Sequence, residues 1–353
     1  MNDSIDYPIV SVIIATYNSH KTLGLVLDAL RKQSYPQDKI EILCVDGGST
    51  DDTFEICHKY NCIILNNPKT DPVSAKMIGY QSAKGKYAIV MDHDEVLQNK
   101  DSIKIKVEAM KAHPECKVAF CSGYLRPADY PMLNQYLSEY GDPYSLFMYR
   151  FSKYYEYYEK DLSRKARIID SEDNYRVYRF GDSFGKCIIE LCCLATMIDR
   201  DFFAQNTNFM YDSQTMVHLF YKMNEMGYKD VVLVQKDPLV HYSVDSIKAY
   251  LPKLKWRIVN NIHYPDKAGQ GFSGREEWLG KGDKKYLFPF YSLSIIIPFV
   301  DSMVMAIKRS NPVYILHTYF SLYVTWNIAC EYAKKMLGIT SALKSYDGKK
   351  VIK

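Results

Sequence analysis

A chain of 353 residues is longer than one minimal domain needs, so it can hold a full α/β core with a segment left over. Its 45 Lys and Arg against 41 Asp and Glu leave a net charge of +4, too small and too dispersed for a nucleic-acid binder, so any anionic partner must be met locally. Nine cysteines without a C-x-x-C pair argue against a disulfide scaffold or zinc site, and for reduced, mostly buried thiols in a cytosolic catalytic part. The acidic start "MNDSIDYPIV" lacks the basic and apolar regions of a secretory signal, so export is not expected.

From Ile9 to Gly123, β-rich apolar runs alternate with helical patterns. The runs are "IVSVIIA" (9–15), "IEILCV" (40–45), "CIIL" (62–65), "YAIVM" (87–91) and "KVAFC" (117–121). Leu23, Val26, Leu27 and Leu30 mark the first helix, with Ser19 as a candidate cap; further helices fit 52–60, 72–83 and 101–112. This alternation predicts a mostly parallel sheet covered on both faces, with ligands outside the carboxyl ends of its strands. The stretch 124–184 is rich in Tyr, Arg and Lys and weakly periodic, which reads as an acceptor-side insertion or loop region. Its tyrosines at 149–178 could stack on sugar rings. Order returns with "IIELCCLATMI" (188–198), a helix over about 213–226 ended by Gly227, and the strand "VVLV" (231–234).

After Lys285 the composition changes. Residues 286–307 carry one charge, Asp301, and 313–330 none apart from the titratable His317. Both segments sit near the roughly 20 residues a membrane span needs, with flanking lysines and abundant Tyr and Trp near their ends. A pair of buried helices in a soluble domain is the other reading. Pro289, Pro298 and Asp301 argue against a simple straight span.

Three polar clusters directly follow strands: Thr16 to Asn18, "DGGSTDD" (46–52) and "DHDE" (92–95). They should meet at one sheet edge. Asp92 and Asp94 can present carboxylates to one hard cation, completed by phosphate oxygens and water; a solvated turn is the bland alternative. Asp46 at a strand end could accept a hydrogen bond from a base or ribose, with Ser49 and Thr50 capping the next helix. An ordinary βα turn would have the same residues. Neither G-x-G-x-x-G after the first strand nor a P-loop motif is present.

Together, "VSVIIATYNSHKTLGLVLDALRKQSYP", "EILCVDGGSTDDT" and "AKMIGYQSAKGKYAIVMDHDE" resemble the nucleotide-sugar half of an inverting glycosyltransferase of the large family 2, which has the GT-A fold. That family includes bacterial polysaccharide and lipid-linked sugar transferases. The resemblance covers about residues 8–123 and extends less closely through Val244. It implies an α/β GT-A domain over 1–245, with a nucleotide-sugar half at 8–123 and an acceptor half at 124–245. An amphipathic connection at 246–285 and a membrane-associated helical segment at 286–338 would follow. It further implies that Asp46 contacts uracil, that Thr16, Tyr17 and Asn18 line the base pocket, and that Asp92 and Asp94 hold Mn2+ or Mg2+ on the diphosphate. Lys76 stands where many members carry arginine, keeping the charge without the planar fork.

Family members usually show an "ED" pair before a "GY" on the acceptor side; here Gly227 and Tyr228 are present, but an ungapped count back lands on Thr215 and Met216. The nearest acid, Asp212, is the candidate base, with His218 the alternative. The segment "HYSVDSIKAYLPKLKWR" implies His241 near the donor phosphates, and Lys255 or Arg257 in reach of anions; a solvated amphipathic helix is the other reading of those cations. The implied activity is metal-dependent, inverting transfer from a UDP-sugar to a lipid-linked or polysaccharide acceptor at the cytoplasmic face of the cell membrane. The competing expectation is a membrane-tethered protein that binds a nucleotide sugar or glycan without turnover. A nucleotidyltransferase is a third reading, disfavoured by the lack of its glycine-rich, basic first loop.

Overall fold

The computed structural model describes residues 7–181, 194–264 and 284–344. They fall into two compact units, Met1–Tyr124 with Tyr158–His241, and Leu125–Tyr157 with Tyr242–Lys353. This division cuts through the 124–245 half drawn from the sequence. Residues 125–157 bury Leu133, Tyr136, Tyr140 and Phe147 in one core with Tyr250, Tyr291, Tyr314 and Phe320 from the C-terminal segment.

The first unit is built on β1 (Val10–Thr16), β2 (Ile40–Asp46), β3 (Ile63–Asn66) and β4 (Tyr87–Asp92), all parallel in the order β3-β2-β1-β4. Most residues of β1, β2 and β4 are buried, as expected of strands covered on both faces, which is why each reads as a continuous apolar run. Register carries the chemistry to one edge: Thr16 lies opposite Asp46, Ala15 opposite Asp92, and Asp46 opposite Asn66.

Beyond β4 the sheet becomes mixed. The remaining strands, in chain order, are β5 (Glu95–Leu97), β6 (Val118–Phe120), β7 (Tyr124–Leu125), β8 (Ala166–Ser171), β9 (Tyr175–Phe180), β10 (Met197–Asp199), β11 (Asp230–Val234) and β12 (Leu239–His241). β10 inserts antiparallel between β4 and β6, β11 runs parallel to β6, and the hairpin β8-β9 closes the edge antiparallel to β11. The mostly parallel sheet expected from the sequence therefore describes the half that carries the strand-end clusters. The stretch read as an insertion or loop forms helices and strands through residue 180, with 182–184 outside the described residues, and Tyr149, Tyr154, Tyr158 and Tyr178 are buried in its packing rather than set out to stack on sugars. Of the 188–198 run, 188–193 lie outside the described residues.

Helices α1 (Leu23–Arg31), α2 (Thr53–Lys59), α3 (Pro72–Ser82) and α4 (Ser102–Ala112) stand where periodicity predicts them. Ser19 does not cap α1: Thr22 is the N-cap residue, and the Ser19 hydroxyl instead accepts the Tyr17 amide at 3.1 Å. Nor do Ser49 and Thr50 cap α2, whose Thr53 amide donates to Asp51. α3 approaches β1 so closely that a Cβ on Gly79 would lie 2.2 Å from Ile13 Cγ2. Gly79→Val should therefore lower stability by about 1–3 kcal/mol through overpacking, measurable as a reduced denaturant midpoint.

Helices α5 (Leu133–Tyr140), α6 (Pro143–Tyr149), α7 (Tyr155–Leu162) and α8 (Arg200–Asn206) follow, the first two in the second unit. The single helix expected over 213–226 is two, α9 (Ser213–Val217) and α10 (Leu219–Glu225), broken at the buried His218. The second unit continues with α11 (Ile247–His263), α12 (Phe288–Leu293), α13 (Ile296–Lys308) and α14 (Leu316–Met336). No single described helix is long and apolar enough to cross a membrane; α12, with the short turn before it, and α13 meet at a bend of 89°. Asp301 is ion-paired with Arg150 at 2.7 Å and accepts the Tyr291 hydroxyl, whose oxygen faces His317 Nε2 at 2.8 Å. Burial lowers the His317 pKa to about 4, so the ring is neutral at physiological pH.

Candidate active site at the strand-end cluster

The loop after β2 is organised by Asp46. Its buried carboxylate accepts the Gly48 and Ser49 amides at 2.8 Å, the Ser49 hydroxyl at 2.6 Å and the Thr16 hydroxyl at 2.9 Å. A carboxylate has about four lone-pair positions, and all are used here. The residue that resemblance assigns to uracil thus folds its own loop first, and a nucleobase N–H could be received only in exchange for one of these donors.

Asn18 joins the two loops, donating its amide to Ser49 Oγ and accepting the Thr50 amide on its side chain at 2.9 Å, with a left-handed φ of 50° that asparagine tolerates. The Tyr17 ring lies near Gly47, where a Cβ would meet its Cδ2 at 3.4 Å. A segment that the sequence did not single out completes this corner. Asn67 donates its backbone amide to the Asp46 carbonyl, while its buried Oδ1 and the Thr70 hydroxyl have no partner among the described residues. Thr70 also holds a φ of 56°, costly for a β-branched residue and a mark of functional loops. The signal was present in "NNPKTDP", whose turn residues follow a strand.

At the end of β4 the three acids separate. Asp92 is exposed, Asp94 partly so, and Glu95 turns inward to begin β5, where it accepts the Tyr124 hydroxyl and the Asp92 amide. Burial, with Asp92 beside it, pushes the Glu95 carboxyl well above the ordinary range. The charge at the surface is therefore that of the Asp pair. β12 runs antiparallel to β5 with His241 opposite Glu95. The His241 ring stacks on Tyr124, centroids 4.6 Å apart, and its Nε2 lies 3.8 Å from Asp94. Residues 147 positions apart in sequence are thereby brought to one corner (241 − 94).

Among the described residues no group of three or more His, Cys, Asp or Glu side chains could hold a metal by itself. The donor set fits a hard cation only as a shared site, in which two carboxylates are completed by phosphate oxygens and water.

Lys76 sits on α3, which Asp71 caps by accepting the Ser74 amide at 2.8 Å. α9 packs against α3, and Asp212 is its N-cap, accepting the Thr215 amide at 2.7 Å and hydroxyl at 2.5 Å. These bonds hold the Asp212 carboxyl below its usual range, and capping alone accounts for an acid here. The His218 Nδ1 donates to the Gln214 carbonyl at 2.9 Å within the same turn. Lys255 and Arg257 belong to the second unit, where Arg257 pairs with Asp142 at 3.4 Å.

Behind this corner lies a buried group that no local motif announces. Lys106, fully buried, has its Nζ 3.7 Å from Asp237, 3.0 Å from Cys121 Sγ and 3.1 Å from the Ala195 carbonyl, while Ser102 donates to Asp237 at 2.6 Å. The Asp237 carbonyl accepts the Ser122 amide and the Asp237 amide donates to the Ser122 hydroxyl, fixing the approach to β12 and so to His241.

Comparison with known proteins bears on the family and the fold. The glycosyl transferase family 2 model matches residues 11–180. TarS of Staphylococcus aureus (strain Mu50 / ATCC 700699), a poly(ribitol-phosphate) beta-N-acetylglucosaminyltransferase, is 32% identical over 100 residues, 27% of this chain and 17% of TarS. WfaP of Escherichia coli, a UDP-Glc:alpha-D-GlcNAc-diphosphoundecaprenol beta-1,3-glucosyltransferase, is 34% identical over 91 residues, 25% of this chain and 36% of WfaP. The chain thus spans 17–36% of the length of these curated relatives. The mannosyltransferase PcManGT from Pyrobaculum calidifontis is 15% identical with a TM-score of 0.54, over 95% of this chain and 88% of that one, and shares its fold. The mixed sheet is therefore a GT-A fold, and residues 11–180 of the chain match the glycosyl transferase family 2 model.

Proposed function

We propose that this chain is an inverting glycosyltransferase that takes its sugar from a UDP-sugar, with Mn2+ or Mg2+ shared between Asp92, Asp94 and the donor diphosphate. The acceptor is a lipid-linked or polysaccharide glycan, met at the cytoplasmic face of a membrane. The observation that carries the reading is the corner itself: Asp94 within 3.8 Å of His241, at the same sheet edge as the loop held by Asp46, in a segment that matches the family 2 model. The UDP-linked donor and diphospho-lipid acceptor in the name of WfaP support the substrate class, and the Mn2+ bound with GDP-Man in PcManGT supports the metal.

In this reading Thr16, Tyr17 and Asn18 wall the base, and Asp46 keeps the loop in shape through its four acceptor bonds. Lys76 and His241 supply positive charge or N–H donors to the diphosphate. A divalent ion between Asp92 and Asp94 would stabilise charge on the departing nucleoside diphosphate. Asp212 takes the acceptor hydroxyl's proton as that oxygen attacks the anomeric carbon from the face opposite the leaving group.

The test is donor binding and turnover with UDP-, GDP- and TDP-sugars, with and without Mn2+ or Mg2+. Asp212→Asn should retain donor binding and lose about 10²–10⁴-fold in turnover, the range for a removed general base. The Asp212 capping bonds favour the rival reading, a tethered nucleotide-sugar or glycan-binding protein. Wild-type protein that binds the donor but never transfers or hydrolyses it would establish that reading instead.

A further inference from the structure

The helix α13 is amphipathic in the reverse sense of a water-soluble one. From Ile295 to Ile307 every exposed residue is apolar: Ile295, Ile296, Ile297, Phe299, Val300, Met303, Val304 and Ile307. The polar residues of the same turns point inward. Ser302 is fully buried with its hydroxyl on the Pro298 carbonyl, and Asp301, on the side facing Arg150 and Tyr291, has a side chain only 18% exposed. Ile296 and Ile307, by contrast, are each 73% exposed. The face continues past the bend onto α12 with Phe290 at 73% and Leu293 at 64%.

We infer that this outward face of α12 and α13 is a lipid-binding surface that lies in the membrane interface without crossing it, a deepening of the membrane location proposed above. Length excludes a span: 13 residues of α13 reach about 20 Å, against a hydrocarbon core of about 30 Å. The 89° bend prevents α12 from extending it. Composition separates lipid from a protein partner. Protein interfaces are about 56–65% apolar and mix in hydrogen-bonding and Arg or Tyr side chains, whereas the exposed face from Ile295 to Ile307 offers no polar side chain. Its borders match an interface with anionic headgroups, since Lys284, Lys285 and the exposed Tyr286 lie before it and Lys308 directly after it.

The experiment is flotation of the purified full chain with phosphatidylcholine vesicles containing phosphatidylglycerol, comparing wild type with Ile296→Asp/Ile307→Asp. The bound fraction should fall at least tenfold in the variant while far-ultraviolet circular dichroism and donor binding stay unchanged, and alkaline carbonate should strip wild type from the vesicles. Wild type that does not float overturns both the surface and the membrane location, leaving the transferase reading to its own assay. A floating wild type matched by the variant overturns the surface alone. Resistance to carbonate overturns the in-plane placement. A wild-type dimer that the variant turns into a monomer, with no change in flotation, assigns the face to a second copy of the chain.

Discussion

Asp94→Asn is expected to remove metal-dependent donor binding and to lower turnover by about 10²–10³-fold, the usual loss when a group stabilising charge in the transition state is deleted. The reason is local. Asp92 and Asp94 are the acids at this corner that remain at the surface, and Glu95 behind them is buried with its carboxyl pushed toward the neutral form. Among the described residues no third carboxylate at this corner stands ready to replace the lost charge. Asparagine keeps the size and one oxygen, so the fold and the His241 contact region should persist. Titration of UDP with and without Mn2+ reads the effect. Unchanged affinity and unchanged metal dependence in Asp94→Asn would sink the assignment of the Asp pair. Glu95→Gln supplies the contrast, since Glu95 is buried behind the pair under Tyr124 and its replacement should cost little metal-dependent binding.

Asp237→Ala should be the most damaging single change to stability, at about 3–5 kcal/mol, because it strands a buried ammonium. Lys106 and Asp237 are both fully excluded from solvent. After the change Lys106 keeps, among the described residues, the Cys121 thiol and the Ala195 carbonyl, neither of which carries a compensating charge. The pair Lys106→Met/Asp237→Leu tests the cause. Exchanging both charges for apolar groups of similar volume should recover most of the loss, since a buried ion pair often contributes little over a hydrophobic pair. If the double variant is no better than Asp237→Ala, the lost hydrogen bond of Ser102, rather than the stranded charge, sets the cost. The double variant also separates folding from function, because β12 would remain in place to present His241.

The elements legible in the sequence are those whose cause is local. β1, β2 and β4 are covered on both faces and so spell continuous apolar runs, and α1 shows its buried stripe of Leu23, Val26, Leu27 and Leu30. β10 has only three residues, and β8 exposes Arg167, Ile168 and Ile169, so neither stands out from its flanks. The strand-end clusters could be placed at one edge because parallel strands present their carboxyl ends together. What could not be read depends on partners far along the chain. Glu95 turns inward because Tyr124 waits there, and Lys106 is tolerable in a core only because Asp237 arrives 131 residues later (237 − 106). The C-terminal segment shows the same limit in another form: its composition announced apolar helices, but only their packing reveals that Asp301 faces in and Ile296 out.

The fourfold use of Asp46 has a kinetic side. A loop whose amides already rest on an internal acceptor does not have to be ordered when its ligand arrives, so little conformational freedom remains to be lost on association. In the proposed function this loop is a rigid socket for the donor's base, and encounter there is a docking event rather than a coupled folding one. On that proposal, discrimination between nucleotides rests on the fixed shape of the socket, since the loop cannot remould itself around a larger base without giving up bonds that hold the strand end together.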